Sequence, residues 1–391
     1  MARVSLQFRT SAIVTGIGLT LWMTACGAKN PEVVKKEDSS VVFTVPANPY
    51  ADDAARFLAG MPGRAESPLK KREAEKQWQA HAAGFDSAFA RWATVRQPPI
   101  SAFQASELAG NEIESATAFY PFGGPDVVHL LTFYPKNPVY IMVGLEPPGT
   151  LPTEKRLRSA ALEAQLPEVR RTLFDVLGKS FFITKEMDKQ LRGQVTDGLL
   201  PIMLVQLVRS GAKILGTAPI MLDPKGTVVA RDESLKNQVN RGVAIDYVMK
   251  SETKPHRIYF FSINLGDSRL AANESFKAFL AQQPRLVSMF KSTSYMPHRA
   301  DFSAIREQVL QRSTAVVQDD SGIPFKFYEA AKWNRQLYGQ YSKPYGSFRN
   351  LVQPDLQKAF ADKAAVKPLA FNIGYGFNRI PSNLLIARKK P

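Results

Sequence analysis

The sequence predicts an α/β protein: a three-layer, Rossmann-like, mostly parallel sheet with antiparallel hairpins and an N-terminal helical appendage. Three observations carry that expectation. From about residue 113 onward, short apolar runs alternate with helix-patterned stretches, as in strand–helix–strand units. Some runs are continuous rather than alternating, as in strands buried on both faces; Val139-Tyr140-Ile141-Met142-Val143-Gly144-Leu145 is the clearest. Turn residues stand where a strand must hand over to a helix, as in Gly123-Gly124-Pro125-Asp126.

The chain of 391 residues begins with an export segment. Arg3 and Arg9 precede an uncharged, mostly apolar run over residues 11–22, and Met23-Thr24-Ala25-Cys26-Gly27 follows. The run is shorter than the roughly 20 residues of a membrane span and ends in small residues, as at a cleavage site. It resembles the bacterial lipoprotein signal, with Met23 where that pattern prefers leucine. The resemblance implies removal of residues 1–25, lipidation of Cys26 and attachment to a membrane of the bacterial envelope. Gly27 in place of aspartate implies the outer membrane rather than the inner one. Cys26 is the only cysteine, so the mature body has no free thiol for catalysis or a disulfide. Within residues 26–48, Lys35-Lys36-Glu37-Asp38-Ser39-Ser40 is polar and aperiodic and Pro46 interrupts any helix, which suits a flexible tether.

Residues 49–112 read as the helical segment. Helices are predicted over 51–60 and 70–96. The second carries Trp78, Phe85, Phe89 and Trp92 along one face, with Pro98-Pro99 expected to end it. The α/β domain spans 113–391. Strands are predicted over 116–122, 139–145, 212–221, 243–249, 257–263, 286–290 and 314–317. Helices are predicted over 126–134, 153–178, 199–209, 275–283 and 301–312. Residues 369–375 and 383–388 read as a C-terminal hairpin. Trp333, Tyr338, Tyr341, Tyr345 and Phe348 form an aromatic segment, either a platform for sugar rings or a partner, or a loop packed by its own aromatics.

The formal net charge is +16, with a pI near 9.8. At an envelope surface that charge attracts anionic polymer or lipopolysaccharide. Nucleic acid is not expected, because the positive charge is dispersed; its densest runs are Lys70-Lys71-Arg72 and Arg388-Lys389-Lys390. Four histidines with no His-x-x-x-His pair argue against a zinc site, and no metal site is expected. No cofactor is identified.

Three constellations could carry chemistry. In the first, Gly123, Gly124 and Asp126 follow a strand, and Glu146 ends the next one. Glycines there let a backbone approach a ligand, and an acid at that spacing can hold ribose hydroxyls. The layout resembles the front half of S-adenosylmethionine-dependent methyltransferases, although the Gly-x-Gly motif is absent. The plainer reading is a tight turn with Asp126 capping a helix, His129 lying on the same helical face. The second is Gln318-Asp319-Asp320-Ser321-Gly322-Ile323-Pro324. Asp319 and Asp320 could hold a cation or supply a base, or form an acidic turn with Gly322 at positive φ. The third is the loop Lys291–His298, where His298 could act as a base beside hydroxyl groups, or lie in a polar surface loop. A hydrolase would use Asp319, Asp320 and His298 as its catalytic residues.

As a whole, residues 115–390 resemble exported bacterial proteins of unknown function that share the Gly-Pro-Asp, Gly-Leu-Glu-Pro and Gln-Asp-Asp-Ser-Gly-Ile-Pro segments. The resemblance implies no particular activity. The expectation is an envelope-anchored lipoprotein with a ligand- or partner-binding α/β domain. The alternative is a periplasmic hydrolase or a methyltransferase-like enzyme.

Overall fold

In the computed structural model, residues 43–159, 162–180, 197–232, 239–341, 343–377 and 381–391 are described. The export segment, Cys26 and most of the expected tether lie outside them. From Phe43 the chain already lies on the fold. Val45 is buried, and the Asn48 amide donates to the Leu215 carbonyl at 2.9 Å.

Helix α1 (Pro49–Leu58) starts where the Asn48 side chain accepts from the Tyr50 amide, with a proline in its first turn. Next come α2 (Lys76–Arg91), α3 (Gln97–Phe103) and α4 (Asn111–Glu114). Pro98-Pro99 does not end the helical run as expected. The two prolines follow directly on a π-helical turn (Trp92–Arg96) and stand in the first turn of α3. Strand β1 (Thr117–Tyr120), α5 (Val127–Phe133) and β2 (Val139–Gly144) follow as anticipated. Then come α6 (Glu154–Leu157), α7 (Leu162–Lys179) and α8 (Leu200–Arg209). Strands β3 (Ala212–Leu222), β4 (Val228–Ala230), β5 (Gly242–Met249) and β6 (His256–Ser262) form an antiparallel stretch in the order β6-β5-β3-β4. The rest of the chain gives α9 (Asp267–Leu270), α10 (Glu274–Ala281), β7 (Leu286–Phe290), α11 (Ser303–Arg312) and β8 (Ser313–Gln318). Strands β9 (Trp333–Gly339) and β10 (Val366–Lys367) flank α12 (Pro354–Ala361), and β11 (Asn383–Lys389) closes the chain.

All eleven strands belong to one sheet, in the order β10-β9-β11-β8-β7-β1-β2-β6-β5-β3-β4. The centre, β8-β7-β1-β2-β6, is parallel throughout. The flanks are antiparallel, apart from the short β9–β10 pair. The fold is therefore mixed α/β, and the expected mostly parallel sheet is corrected: antiparallel pairing covers more residues, because β3, β5, β9 and β11 are long. Successive residues feed two apolar clusters. On β2, Tyr140 and Met142 join Phe57, Phe85 and Leu204 from the helices before β3, while Ile141 and Val143 join Phe276, Val309 and Phe360 from α10, α11 and α12. Among the described residues, no helix is long and apolar enough to cross a membrane.

Two further expectations change. Residues 369–375 are not a strand. Instead β11 inserts between β8 and β9, antiparallel to both, which satisfies both of its edges. The aromatic segment is not a free platform either. Trp333 and Tyr338 are buried on β9 and Tyr341 just beyond it, while Tyr345 and Phe348 lie against the Tyr375 ring.

Candidate functional site

Because the five central strands are parallel, their C-terminal ends share one edge, where α/β sheets take ligands. The loops leaving β1, β2, β6 and β7 enclose a cleft of about 160 Å³ there. Gly123, Gly124, Asp126 and Glu146, the first sequence constellation, all line it. So do Lys291 and Ser292 from the loop after β7. Gly124 sits at φ 52°, and a Cβ on Gly123 would lie 2.6 Å from the Tyr120 ring, so the β1 loop needs both glycines.

Asp126 caps α5 as expected, its carboxylate accepting the His129 amide at 3.4 Å. It also does more than cap. Its Oδ2 accepts from Lys291 Nζ at 2.8 Å and from the Tyr120 hydroxyl at 3.0 Å. Its Oδ1 is 2.9 Å from His129 Nδ1. His129 Nε2 is 3.1 Å from Ser180 Oγ, which accepts the Gly374 amide at 3.2 Å. Lys291 also donates to the Ser180 carbonyl. Every side chain of this network is buried.

The hydrogen-bond inventory fixes the proton positions. The Asp126 carboxylate can only accept, so His129 carries a proton on Nδ1 and donates it to Asp126. On a neutral ring Nε2 then accepts from the Ser180 hydroxyl, whose oxygen accepts the Gly374 amide. Burial lowers the His129 pKa, which agrees with a neutral ring. Burial alone would raise the Asp126 carboxyl, but the Lys291 charge and hydrogen bonds from His129 and Lys291 hold it below the usual carboxylate range. The result is a carboxylate–ammonium pair on the cleft floor.

Glu146 also lines the cleft and is 6% exposed. Its Oε2 accepts the Leu145 amide at 3.1 Å, and among the described residues it has no ion-pair partner. Ser292 Oγ is buried without a hydrogen-bond partner. Ser292, Ser294 and Tyr295 all have φ between 52° and 54°, and Phe122 across the cleft has φ 62°. Such left-handed non-glycine residues persist only where their surroundings hold them. The Ser292 amide donates to Asp319 at 2.9 Å, the Thr293 amide to Ser321 at 2.9 Å and the Ser294 amide to the Tyr375 hydroxyl at 3.0 Å.

The second and third sequence constellations do meet, but Asp319, Asp320 and His298 form no acid–base pair and do not line the cleft. Asp319 spends its oxygens on the Ser292 amide and on the Ser321 amide and hydroxyl. Asp320 accepts from the Tyr295 hydroxyl at 2.5 Å and from Asn383 at 3.0 Å. His298 Nε2 faces the Asp320 backbone carbonyl at 3.1 Å, not a carboxylate. Burial lowers the His298 pKa to about 4. Burial, then the charge of Asp320, raises Asp319 to about 6. The space bordered by Asp319 and Asp320 is about 10 Å³, too small for a substrate. These three residues brace the loop that forms the cleft wall. Gly322 does not have a positive φ; it is small because a Cβ would lie 2.6 Å from Gln318 Oε1.

No family model, curated protein or solved structure matches the chain. Among the described residues, no three histidine, cysteine, aspartate or glutamate side chains gather as a metal site. Sequence reasoning missed Lys291 and Tyr120 as partners of Asp126, and Ser180 as a partner of His129 and Lys291. Lys291 alone left a signal: a lysine directly after the fully apolar end of a buried strand.

Proposed function

We propose that this chain is an envelope-anchored bacterial lipoprotein whose α/β domain, built as a three-layer Rossmann-like fold, binds a small polar ligand in the cleft. One observation carries the ligand reading. The Asp126–Lys291 pair lies on the cleft floor; among the described residues Glu146, which accepts only the Leu145 amide, has no ion-pair partner, and Ser292 Oγ is buried without a hydrogen bond. Buried polar groups are ordinarily matched, so unmatched ones on cleft-lining residues point to an incoming partner. The lipobox-like segment supports attachment through Cys26, and the net charge of +16 supports contact with anionic envelope polymer or lipopolysaccharide.

A second reading has its own observation. Gly123, Gly124 and Glu146 line the same cleft, the arrangement a methyltransferase-like site would use for S-adenosylmethionine. The hydrolase reading has no such support, since Asp319, Asp320 and His298 do not line the cleft. The test is the melting temperature of the purified chain with S-adenosylmethionine, nucleotides, amino acids, sugars and wall fragments. A ligand at about 100 times its Kd adds ~2.7 kcal/mol of stability. The cleft reading requires that shift to vanish in Met296→Trp, which fills the cleft. A shift that persists in that variant sinks it.

A further inference from the structure

We infer that the cleft takes an amino-acid-sized zwitterion, its ammonium held by Glu146 and its carboxylate by Lys291 and Ser292. This rests on the cleft being the ligand site and adds the ligand's chemistry. On one wall stands an acceptor that wants a cation. Glu146 is almost fully buried, yet among the described residues it has no ion-pair partner, in a chain with a large excess of lysine and arginine. A carboxylate this buried is ordinarily paired.

On the other side stand two donors that want an oxygen. Lys291 gives one proton to Asp126 and one to the Ser180 carbonyl. His129 Nδ1 lies 3.4 Å away but carries its own proton, so it cannot accept the third. That third ammonium proton has no acceptor among the described residues. The neighbouring Ser292 hydroxyl has no partner either. Its backbone is held at φ 52° by the Asp319 carboxylate, so the donor wall is set before a ligand arrives.

Charge selects among ligand classes. Asp126 and Lys291 cancel, which leaves the Glu146 charge. A neutral sugar would satisfy the donors and leave Glu146 without a counter-ion. A phosphate or polyanion would meet two carboxylates. A zwitterion supplies an ammonium for Glu146 and an oxygen pair for Lys291 and Ser292, while Val143, Ile263 and Leu265 offer apolar lining for its carbon skeleton. Size agrees: about 160 Å³ is below the ~300–1,000 Å³ of pockets for drug-sized ligands.

Isothermal titration of the purified chain tests this, with free alanine, leucine, methionine and lysine, their N-acetyl and amide derivatives, glucose, inorganic phosphate and S-adenosylmethionine as probes. At least one free amino acid should bind. Blocking either its amine or its carboxylate should weaken binding at least tenfold. Glu146→Gln should do the same at an unchanged melting temperature, and Ser292→Ala should weaken binding several-fold. Binding indifferent to the blocking groups or to Glu146→Gln overturns the inference. So does binding of glucose, phosphate or S-adenosylmethionine without any free amino acid. In both cases loss of binding in Met296→Trp shows that the cleft reading survives. Failure of the whole panel to bind overturns the zwitterion, and failure of nucleotides and wall fragments as well overturns the cleft reading with it.

Discussion

Asp126 and the Asp319/Asp320 pair stand at the same edge of the same sheet, all three carboxylates are buried, and the loop after β7 touches both groups. They meet the cost of burial in opposite ways. Asp126 has an ammonium beside it and stays ionised. Asp319 and Asp320 have only amide, hydroxyl and carboxamide donors, and both are pushed toward the protonated form. Of the three, only Asp126 lines the cleft. A carboxylate is therefore not a site by virtue of its neighbours in the chain. What matters is which partner neutralises it and whether that partner leaves a proton to spare.

The largest effect should come from breaking the ion pair. Lys291→Met leaves Asp126 buried and unpaired, which costs about 3–5 kcal/mol. At roughly 2–4 °C per kcal/mol for a domain of this order, thermal unfolding should show it plainly. The double variant Asp126→Asn/Lys291→Met should recover much of the loss, because no charge is then stranded. A Lys291→Met loss below about 1 kcal/mol would mean that the pair is not desolvated, and the contrast between the two groups would collapse.

The comparison can be sharpened by pH, since the two groups respond with opposite sign. A carboxyl held low, like Asp126, contributes stability above its unfolded pKa and loses it as pH falls through its folded value. Asp319 is held high, at about 6 against an ordinary 3.8. In that window the folded state binds more protons than the unfolded one, so its penalty is full above pH 6 and is relieved as pH falls toward 4. His81 and His298, lowered to about 4 by burial, oppose this, because their unfolded forms take up protons first. Comparison with Asp319→Asn cancels the histidine contribution. The wild-type chain should gain on the variant as pH falls from 6 to 4, by up to about 1.4 kcal/mol per pH unit. Parallel pH curves would show that Asp319 is not charged and buried as described.

Much of the fold was legible because its signals are local. β1, β2, β5, β6, β7 and β8 are apolar runs whose own composition declares them, and Asp126 caps α5 from the adjacent position in the chain. That Gly123, Gly124 and Glu146 gather at one sheet edge was legible for the same reason, since a strand end places them. Partnerships between distant segments were not. Asp126 and Lys291 are 165 positions apart, and nothing in either segment names the other. β9 reads Trp-Asn-Arg-Gln-Leu-Tyr-Gly, too polar to look like a strand until β11 pairs along it. β11 itself was seen but given the wrong neighbour, because a hairpin is the shortest connection, whereas the sheet offered two edges at once.

The smallest effect should be the most telling about the pair that looked catalytic. Asp320→Asn keeps one oxygen to accept from Asn383 or from the Tyr295 hydroxyl, and Tyr295 can instead accept from the new amide. The buried charge also disappears. Loss of one charge-assisted hydrogen bond against relief of desolvation leaves a net cost of about 1 kcal/mol or less. Asp320 does not line the cleft, so ligand affinity should stay within about twofold of wild type, as it should in His298→Ala. A structural brace predicts that a modest fall in melting temperature and an unchanged titration curve go together. If Asp320→Asn abolished binding or turnover while melting normally, the chemistry would belong to the acidic loop after all, and the roles of the two carboxylate groups would have to be exchanged.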